Sequence, residues 1–222
     1  MDYFPILIKL AGRRVLVCGS NDEAVFKIRL LLKSSAEIVV FGTPTKKHIK
    51  QWSEKGLIQY NNRLVEERDC NNIAFAYVTL KKGTERNATL RVLSKKTIPY
   101  CVVDDKLHSN FITPSIVDRN PVTVAIGSEG TAPALVRHIK AQIENILPQQ
   151  TGLVARIAGA FRPYVYRLPN SHTRRHFWTR FFNQVKSQIF FQSSVQDLET
   201  TLKNKLHNLL KREKNFKTSN YP

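Results

Sequence analysis

The 222-residue chain is 42% hydrophobic and carries a formal net charge of +18 at pH 7. That length can bury a core in one large domain or two small ones, and no apolar run reaches the length of a helical membrane span. Cys18, Cys70 and Cys101 are odd in number and far apart, which excludes a disulfide frame and predicts free thiols in a reducing cytoplasm.

The opening Met1 to Leu10 contains Asp2 and Lys9 and lacks the layout of a signal peptide. There is no CxxC and no HExxH, so no built-in metal is expected. A balance this basic predicts a polyanionic partner: nucleic acid, a membrane surface or a highly carboxylated small molecule. The plain alternative is charge that serves solubility. The excess is uneven: residues 151–222 hold 13 Lys/Arg against 3 Asp/Glu, and the rest of the chain holds 22 against 14.

In chain order, Phe4 to Leu10 is a short apolar segment, and Val15 to Cys18 is a compact apolar strand. Gly19 to Ala24 turns the chain. Val25, Ile28, Leu31 and Leu32 then have the spacing of an amphipathic helix over Ala24 to Lys33, and Glu37 to Phe41 is the next strand. Strand, turn, helix and strand within about thirty residues form a mononucleotide-binding βαβ unit. His48 to Lys55 reads as a helix, Leu57 to Tyr60 as a short strand, Ile73 to Thr79 as a buried strand, Thr84 to Lys95 as a helix and Tyr100 to Val103 as a strand. Alternation of this kind predicts a parallel sheet covered on both faces.

Pro121 to Ile126 is a β-branched strand, followed by a polar turn from Gly127 to Thr131 and a helix from Ala132 to Leu147. Pro148 breaks the pattern. Beyond it Thr151 to Phe161, Thr173 to Phe191 and Val195 to Lys214 are helical in spacing. The predicted fold is therefore α/β: a Rossmann-like parallel-sheet domain over residues 1–112, a strand-turn-helix segment over 113–148 and a helical module with a basic tail over 149–222.

Three places carry candidate chemistry. The turn after the first strand places Gly19, Asn21 and Ala24 at the positions of a G-x-G-x-x-G/A fingerprint, with asparagine where a second glycine would let backbone approach a pyrophosphate. Asp104 and Asp105 end the strand Tyr100 to Val103, and ligands of open α/β sheets sit outside such carboxyl ends. A carboxylate in a cleft serves as a general base; the plain reading of Asp104 is a capping or loop acid. Asp105 points to the opposite side if the strand continues, and so is not expected to be a partner of Asp104. His108 is either an assistant or a surface-loop histidine. Ser128 begins a turn at a helix N-terminus, which suits an anion or a simple N-cap.

Several stretches together carry a family resemblance: Val102-Val103-Asp104, the segment Phe111 to Pro121 (FITPSIVDRNP) and Gly130 to Arg137 (GTAPALVR). From Met1 to about Phe182 the chain resembles the N-terminal half of siroheme synthase and the stand-alone precorrin-2 dehydrogenase/sirohydrochlorin ferrochelatases. The resemblance implies NAD as cofactor and oxidation of precorrin-2 to sirohydrochlorin, with insertion of Fe²⁺, as substrate, a further step that remains open. Asp104 is implied as the proton-handling catalyst. Gly19, Asn21, Asp22, Glu23, Thr43, Pro44 and Thr79 are implied around the cofactor. The macrocycle's eight carboxylates suit the basic charge, and Ser128, Thr131, Arg119 and Arg137 are expected to bind it; Arg156 and Arg162 are further candidate carboxylate forks.

The family also implies dimerisation through the segment 113–148 and the helical module, hence a homodimer, and a separate uroporphyrinogen methyltransferase upstream. In the module, Phe177, Trp178, Phe181 and Phe182 are expected to be core. The chain departs from the family at Asn21, at Lys81-Lys82 where acids are common, and at Glu129 where glycine is usual. Two other readings stand beside this one. The first is a chelatase-only or tetrapyrrole-binding protein without the redox step. The second is a nucleic-acid-binding protein using the basic tail, ranked below because no zinc finger or RNP-like aromatic motif is present.

Overall fold

The computed structural model describes residues 2–43, 46–185 and 194–218, the side chains of 213–218 excepted. The chain divides into two compact units, Met1–Thr113 and Pro114–Pro222. Among the described residues, no helix is long and apolar enough to cross a membrane.

The first unit contains β1 (Arg14–Cys18), α1 (Asp22–Leu31), β2 (Glu37–Phe41), α2 (Lys47–Glu54), β3 (Gln59–Asn61), β4 (Ile73–Val78), α3 (Thr84–Lys95) and β5 (Tyr100–Val102). A 3₁₀ turn over Lys106–His108 follows β5. The five strands are all parallel, in the order β3-β2-β1-β4-β5. This is the Rossmann-like arrangement, and the strand order reverses between β1 and β4, where ligands of such sheets bind.

Apolar runs rather than alternation dictate these strands, because both sheet faces are covered. Val15 and Val17 of β1 belong to one core, with Ile28 of α1 and Ile49 of α2. Leu16 and Cys18 point to the other, with Phe41, Val78 and Leu93 of α3. Burial of each such aliphatic side chain is worth about 1.5–3 kcal/mol.

The second unit opens with β6 (Ser115–Arg119) and β7 (Val122–Ile126), an antiparallel pair joined through a cis Asn120–Pro121 peptide bond. Helices α4 (Pro133–Ile146), α5 (Thr151–Tyr166), α6 (Ser171–Val185) and α7 (Val195–Thr218) follow. Strand β6 was not expected: Ser115, Asp118 and Arg119 interrupt its apolar pattern, and it forms because β7 pairs with it residue for residue. Helix α5 continues past the expected end at Phe161 and through Pro163, because Val165 and Leu168 just beyond are buried in the same core. Part of the expected helix Thr173 to Phe191 lies outside the described residues; α6 accounts for it up to Val185.

The helical core is made by residues four apart. Leu198, Leu202 and Leu206 on α7 are fully buried, as are Phe177 and Phe181 on α6, and they meet Val154, Ile157 and Phe161 of α5. Trp178 is packed at the edge of this cluster, whereas Phe182 is 44% exposed and stacks on Trp178 at 5.8 Å.

The segment 113–148 and the helical module, expected as separate pieces, fall in one unit from Pro114 onward. The hairpin and α5 meet closely at Gly152. A Cβ there would lie 2.3 Å from the Asn120 carbonyl oxygen and 2.4 Å from that of Arg119. The hairpin therefore packs backbone to backbone against the start of α5, which only glycine permits.

Candidate cofactor cleft and carboxylate turn

The cleft lies at the tips of β1 and β4, with a volume of about 500 Å³. Backbone bonds draw the tips together: the Gly19 N–H donates to the Phe41 carbonyl at 2.6 Å, and the Thr79 N–H to the Cys18 carbonyl at 2.8 Å. Gly19 has φ +126°, and a Cβ on it would meet Thr79 Oγ1 at 2.1 Å. The glycine is thus required twice, by conformation and by the approach of β4.

Asn21 is the N-cap of α1, in extended conformation with φ −83°. Its Oδ1 accepts from the Ala24 N–H at 3.0 Å, and its Nδ2 donates to the Thr79 carbonyl at 2.8 Å. Both ends of the side chain are committed to the protein, so the amide is folded back toward β4. No left-handed backbone is needed at this position.

Gly19, Asn21, Thr43 and Thr79 all line the cleft. Lys46, Lys81, Lys82 and Glu85 line it too, and Lys81 and Lys82 are exposed, so lysines outnumber acids at its rim. Asp22 and Glu23 sit in the first turn of α1, and Asp22 pairs with Lys46 at 2.9 Å. Pro44 lies outside the described residues. Lys46 was not foreseen; it lies downstream of β2, where nothing in the pattern marks a cleft residue.

Asp104 stands in the turn after β5, exposed, with a left-handed backbone at φ +58°. The adjacent Asp105 is half-buried. Its carboxylate forms an ion pair with Arg86 of α3, accepts the His108 N–H at 3.3 Å and lies 2.8 Å from His108 Nδ1. The hydrogen bond from His108 first, then that from Arg86, lowers the Asp105 carboxyl to about 2. Arg86 itself is 7% exposed. This cluster was also missed, although Arg86, Thr89 and Leu93 have i, i+3, i+7 spacing and form the buried face of α3. His108 is therefore tied to Asp105 rather than free in a loop.

Burial raises the thiols of Cys18 and Cys101, so neither has the character of a nucleophile. Among the described residues, no cluster of three or more His, Cys, Asp and Glu has the arrangement of a metal site.

In the second unit, Ser128 Oγ accepts from the Ala132 N–H at 3.1 Å, and the Thr131 N–H donates to the Ser128 carbonyl at 2.9 Å. This turn leads into α4. Glu129 has φ +52° and Gly130 φ +79°, so both stand in the left-handed region that favours glycine. Thr131 and Arg137 are exposed.

Arg119 is occupied differently from the expected carboxylate fork. Its Nε donates to the Leu147 carbonyl at 2.8 Å, Nη1 to the Asp118 carbonyl at 3.0 Å and Nη2 to the Glu144 carbonyl at 3.4 Å. It straps the hairpin to the C-terminus of α4, where a cation is also favoured by the helix dipole. Arg156 likewise donates to the Asn120 carbonyl at 2.7 Å.

Comparison with known proteins agrees with this geometry along most of the chain. Residues 6–115 match the family model described as putative NAD(P)-binding, and residues 150–206 match that of the sirohaem synthase dimerisation region. The siroheme synthase of Photorhabdus laumondii is 33% identical over 207 residues, 93% of this chain and 44% of that protein. The chain belongs to the siroheme synthase family.

The siroheme synthase of Neisseria meningitidis serogroup C is 37% identical over 190 residues, 82% of this chain and 38% of that protein. The chain thus spans less than half the length of these family members. Its fold is that of the solved structure named SirC, precorrin-2 dehydrogenase. The TM-score is 0.71 at 20% sequence identity, covering 96% of this chain and 100% of that one.

Proposed function

We propose that this chain oxidises precorrin-2 to sirohydrochlorin with NAD⁺ as acceptor, a step of siroheme biosynthesis. The observation that carries the reading is the Gly19–Asn21 turn at the strand-order reversal, with the Asn21 side chain folded back onto Thr79. The N-terminus of α1 and the lysine-rimmed cleft are suited to a pyrophosphate. The residues present therefore fit a dinucleotide.

NAD⁺, when bound, supplies the two-electron acceptor. The chain's own part is positioning and proton handling. Backbone at Gly19 to Glu23 would hold the pyrophosphate, and Thr43, which lines the same cleft, would also contact the cofactor. Asp104 accepts the proton released as two hydrogens leave the macrocycle, taking it on a carboxylate oxygen and passing it to solvent. An exposed carboxylate with no hydrogen-bond partner among the described residues is available for that transfer. Ser128, Thr131 and Arg137 are the candidate contacts for the substrate's carboxylates. Arg119, held by three backbone carbonyls, is not among them.

Ferrous iron insertion is included as a second reaction, with Fe²⁺ as substrate and the pyrrole nitrogens as its ligands; Asp104 would take the protons those nitrogens lose. A homodimer is proposed from the match to the dimerisation region, and α4, which buries none of its residues, supports it. The deciding experiment follows absorbance of enzymatically generated precorrin-2 with and without NAD⁺, for the wild type and Asp104→Ala. Sirohydrochlorin formed only with NAD⁺ and lost in the variant is the expected result. No turnover in the wild type would overturn the dehydrogenase reading. Adding Fe²⁺ to ready-made sirohydrochlorin tests the second reaction.

A further inference from the structure

The backbone of Asp104 is left-handed at φ +58°, a conformation that costs a non-glycine residue about 1–2 kcal/mol and persists where its surroundings over-determine it. Those surroundings are centred on the next residue. The Asp105 N–H donates to the Val102 carbonyl at 3.2 Å, closing the turn. Ser109 Oγ accepts from the Val102 N–H at 2.9 Å and lies 2.7 Å from the Asp105 carbonyl oxygen. The Asp105 carboxylate reaches in two directions, to Arg86 on α3 and to His108 at the far end of the turn.

Arg86 is nearly buried, and its Nε lacks a hydrogen-bond partner among the described residues. A buried guanidinium needs an anion, and among the described residues Asp105 is the carboxylate that pairs with it. The pairing also answers a problem of charge. Two adjacent carboxylates that shared a site would compete for one proton. Asp105 is instead kept ionised by its cationic and hydrogen-bonding neighbours, its carboxylate committed to Arg86 and His108.

We propose that Asp105 is a positioning residue: anchored to Arg86 on one side and His108 on the other, it holds the turn that presents the Asp104 carboxylate. The inference rests on the function proposed above only for its kinetic consequence. The geometric consequence stands by itself.

The test uses the full chain. Amide hydrogen exchange is measured across Asp104 to Ser109 in the wild type and in Asp105→Asn. Exchange about tenfold faster in the variant is expected, with the amides of Val15 to Val17 unchanged, because loss of the ion pair frees the turn and not the sheet. In turnover of precorrin-2, Asp105→Asn is expected to lower kcat about tenfold with KM for NAD⁺ unchanged, and Asp105→Glu to recover most of that loss. Unchanged exchange in the turn would overturn the proposal, as would a rise in KM for NAD⁺ with kcat intact. If Asp105→Asn does not fold, the exposed His108→Ala takes its place, with faster exchange confined to the same turn again required. Absence of wild-type turnover would count against the dehydrogenase reading alone, since the exchange measurement still decides whether Asp105 holds the turn.

Discussion

Asn21 Nδ2 donates to the main-chain carbonyl of Thr79 at 2.8 Å, joining the first helix's N-cap to the tip of β4. The residue that departs from the glycine fingerprint is therefore a brace between the start of α1 and the tip of β4. Replacing it with the glycine usual in the family removes this bond and the cap on Ala24 while leaving the backbone free to keep its course. Asn21→Gly is expected to lose about 1–2 kcal/mol of stability, from one hydrogen bond and a small capping difference, measured by urea unfolding. Affinity for NAD⁺ by calorimetry is expected to change less than about threefold, against the tenfold of a lost 1.4 kcal/mol. A tenfold gain would mean that the side chain does stand in the cofactor's way.

Gly19→Ala is expected to be far more damaging. The new Cβ would lie 2.1 Å from Thr79 Oγ1 on a backbone at φ +126°. Overpacking and left-handed strain together predict a loss of about 2–4 kcal/mol, visible as a lowered midpoint in thermal unfolding, and NAD⁺ binding should fall with it.

The two arginines of the second unit separate by test. Arg137 is exposed, and Arg137→Ala should leave stability within about 0.5 kcal/mol while raising KM for precorrin-2 if this guanidinium binds a substrate carboxylate. Arg119→Ala releases the Leu147 and Glu144 carbonyls and should instead lower the unfolding midpoint. Equal KM effects with no stability loss at Arg119 would contradict its role as a strap.

Asp105 makes a pH-dependent contribution with a definite sign. Its carboxyl is lowered to about 2 in the folded chain, against about 3.9 for an unperturbed aspartate. The stabilisation is therefore fully present above about pH 4 and is lost as pH falls toward about 2. The stability difference between the wild type and Asp105→Asn should be present at about pH 5 and shrink below about pH 4. A difference that persists undiminished to pH 2 would argue against the ion pair.

The sheet was legible because its strands are apolar runs, such as Val15 to Cys18, bounded by glycine. The α7 core was legible because Leu198, Leu202 and Leu206 repeat every four residues. Strand β6 was not, since a two-stranded ribbon with half-buried faces need not be uniformly apolar. At the site, Gly19 and Asn21 follow from the fingerprint turn after the first strand and Thr43 and Thr79 from the family resemblance, but the rotamer of Asn21 follows from neither. Its capping role did have a local signal, an asparagine directly before a helix. The bond to Thr79 spans 58 residues and has none. Arg86 and Asp105 are 19 residues apart, and only the docking of α3 beside β5 brings the charges together. Arg119 was read as a fork because side-chain chemistry was considered without the nearby carbonyls at the end of α4.

The bare backbone at Gly152 has a mechanical meaning. Where most elements of a domain meet through side chains that can change rotamer and absorb a displacement, here two carbonyls of the hairpin's end abut the first turn of α5 directly. Close-packed contacts transmit strain, and this one has no compliant layer. A shift of the β6–β7 ribbon, whatever grips its other side, is passed undamped to α5 and through Val154 and Ile157 to the helical core.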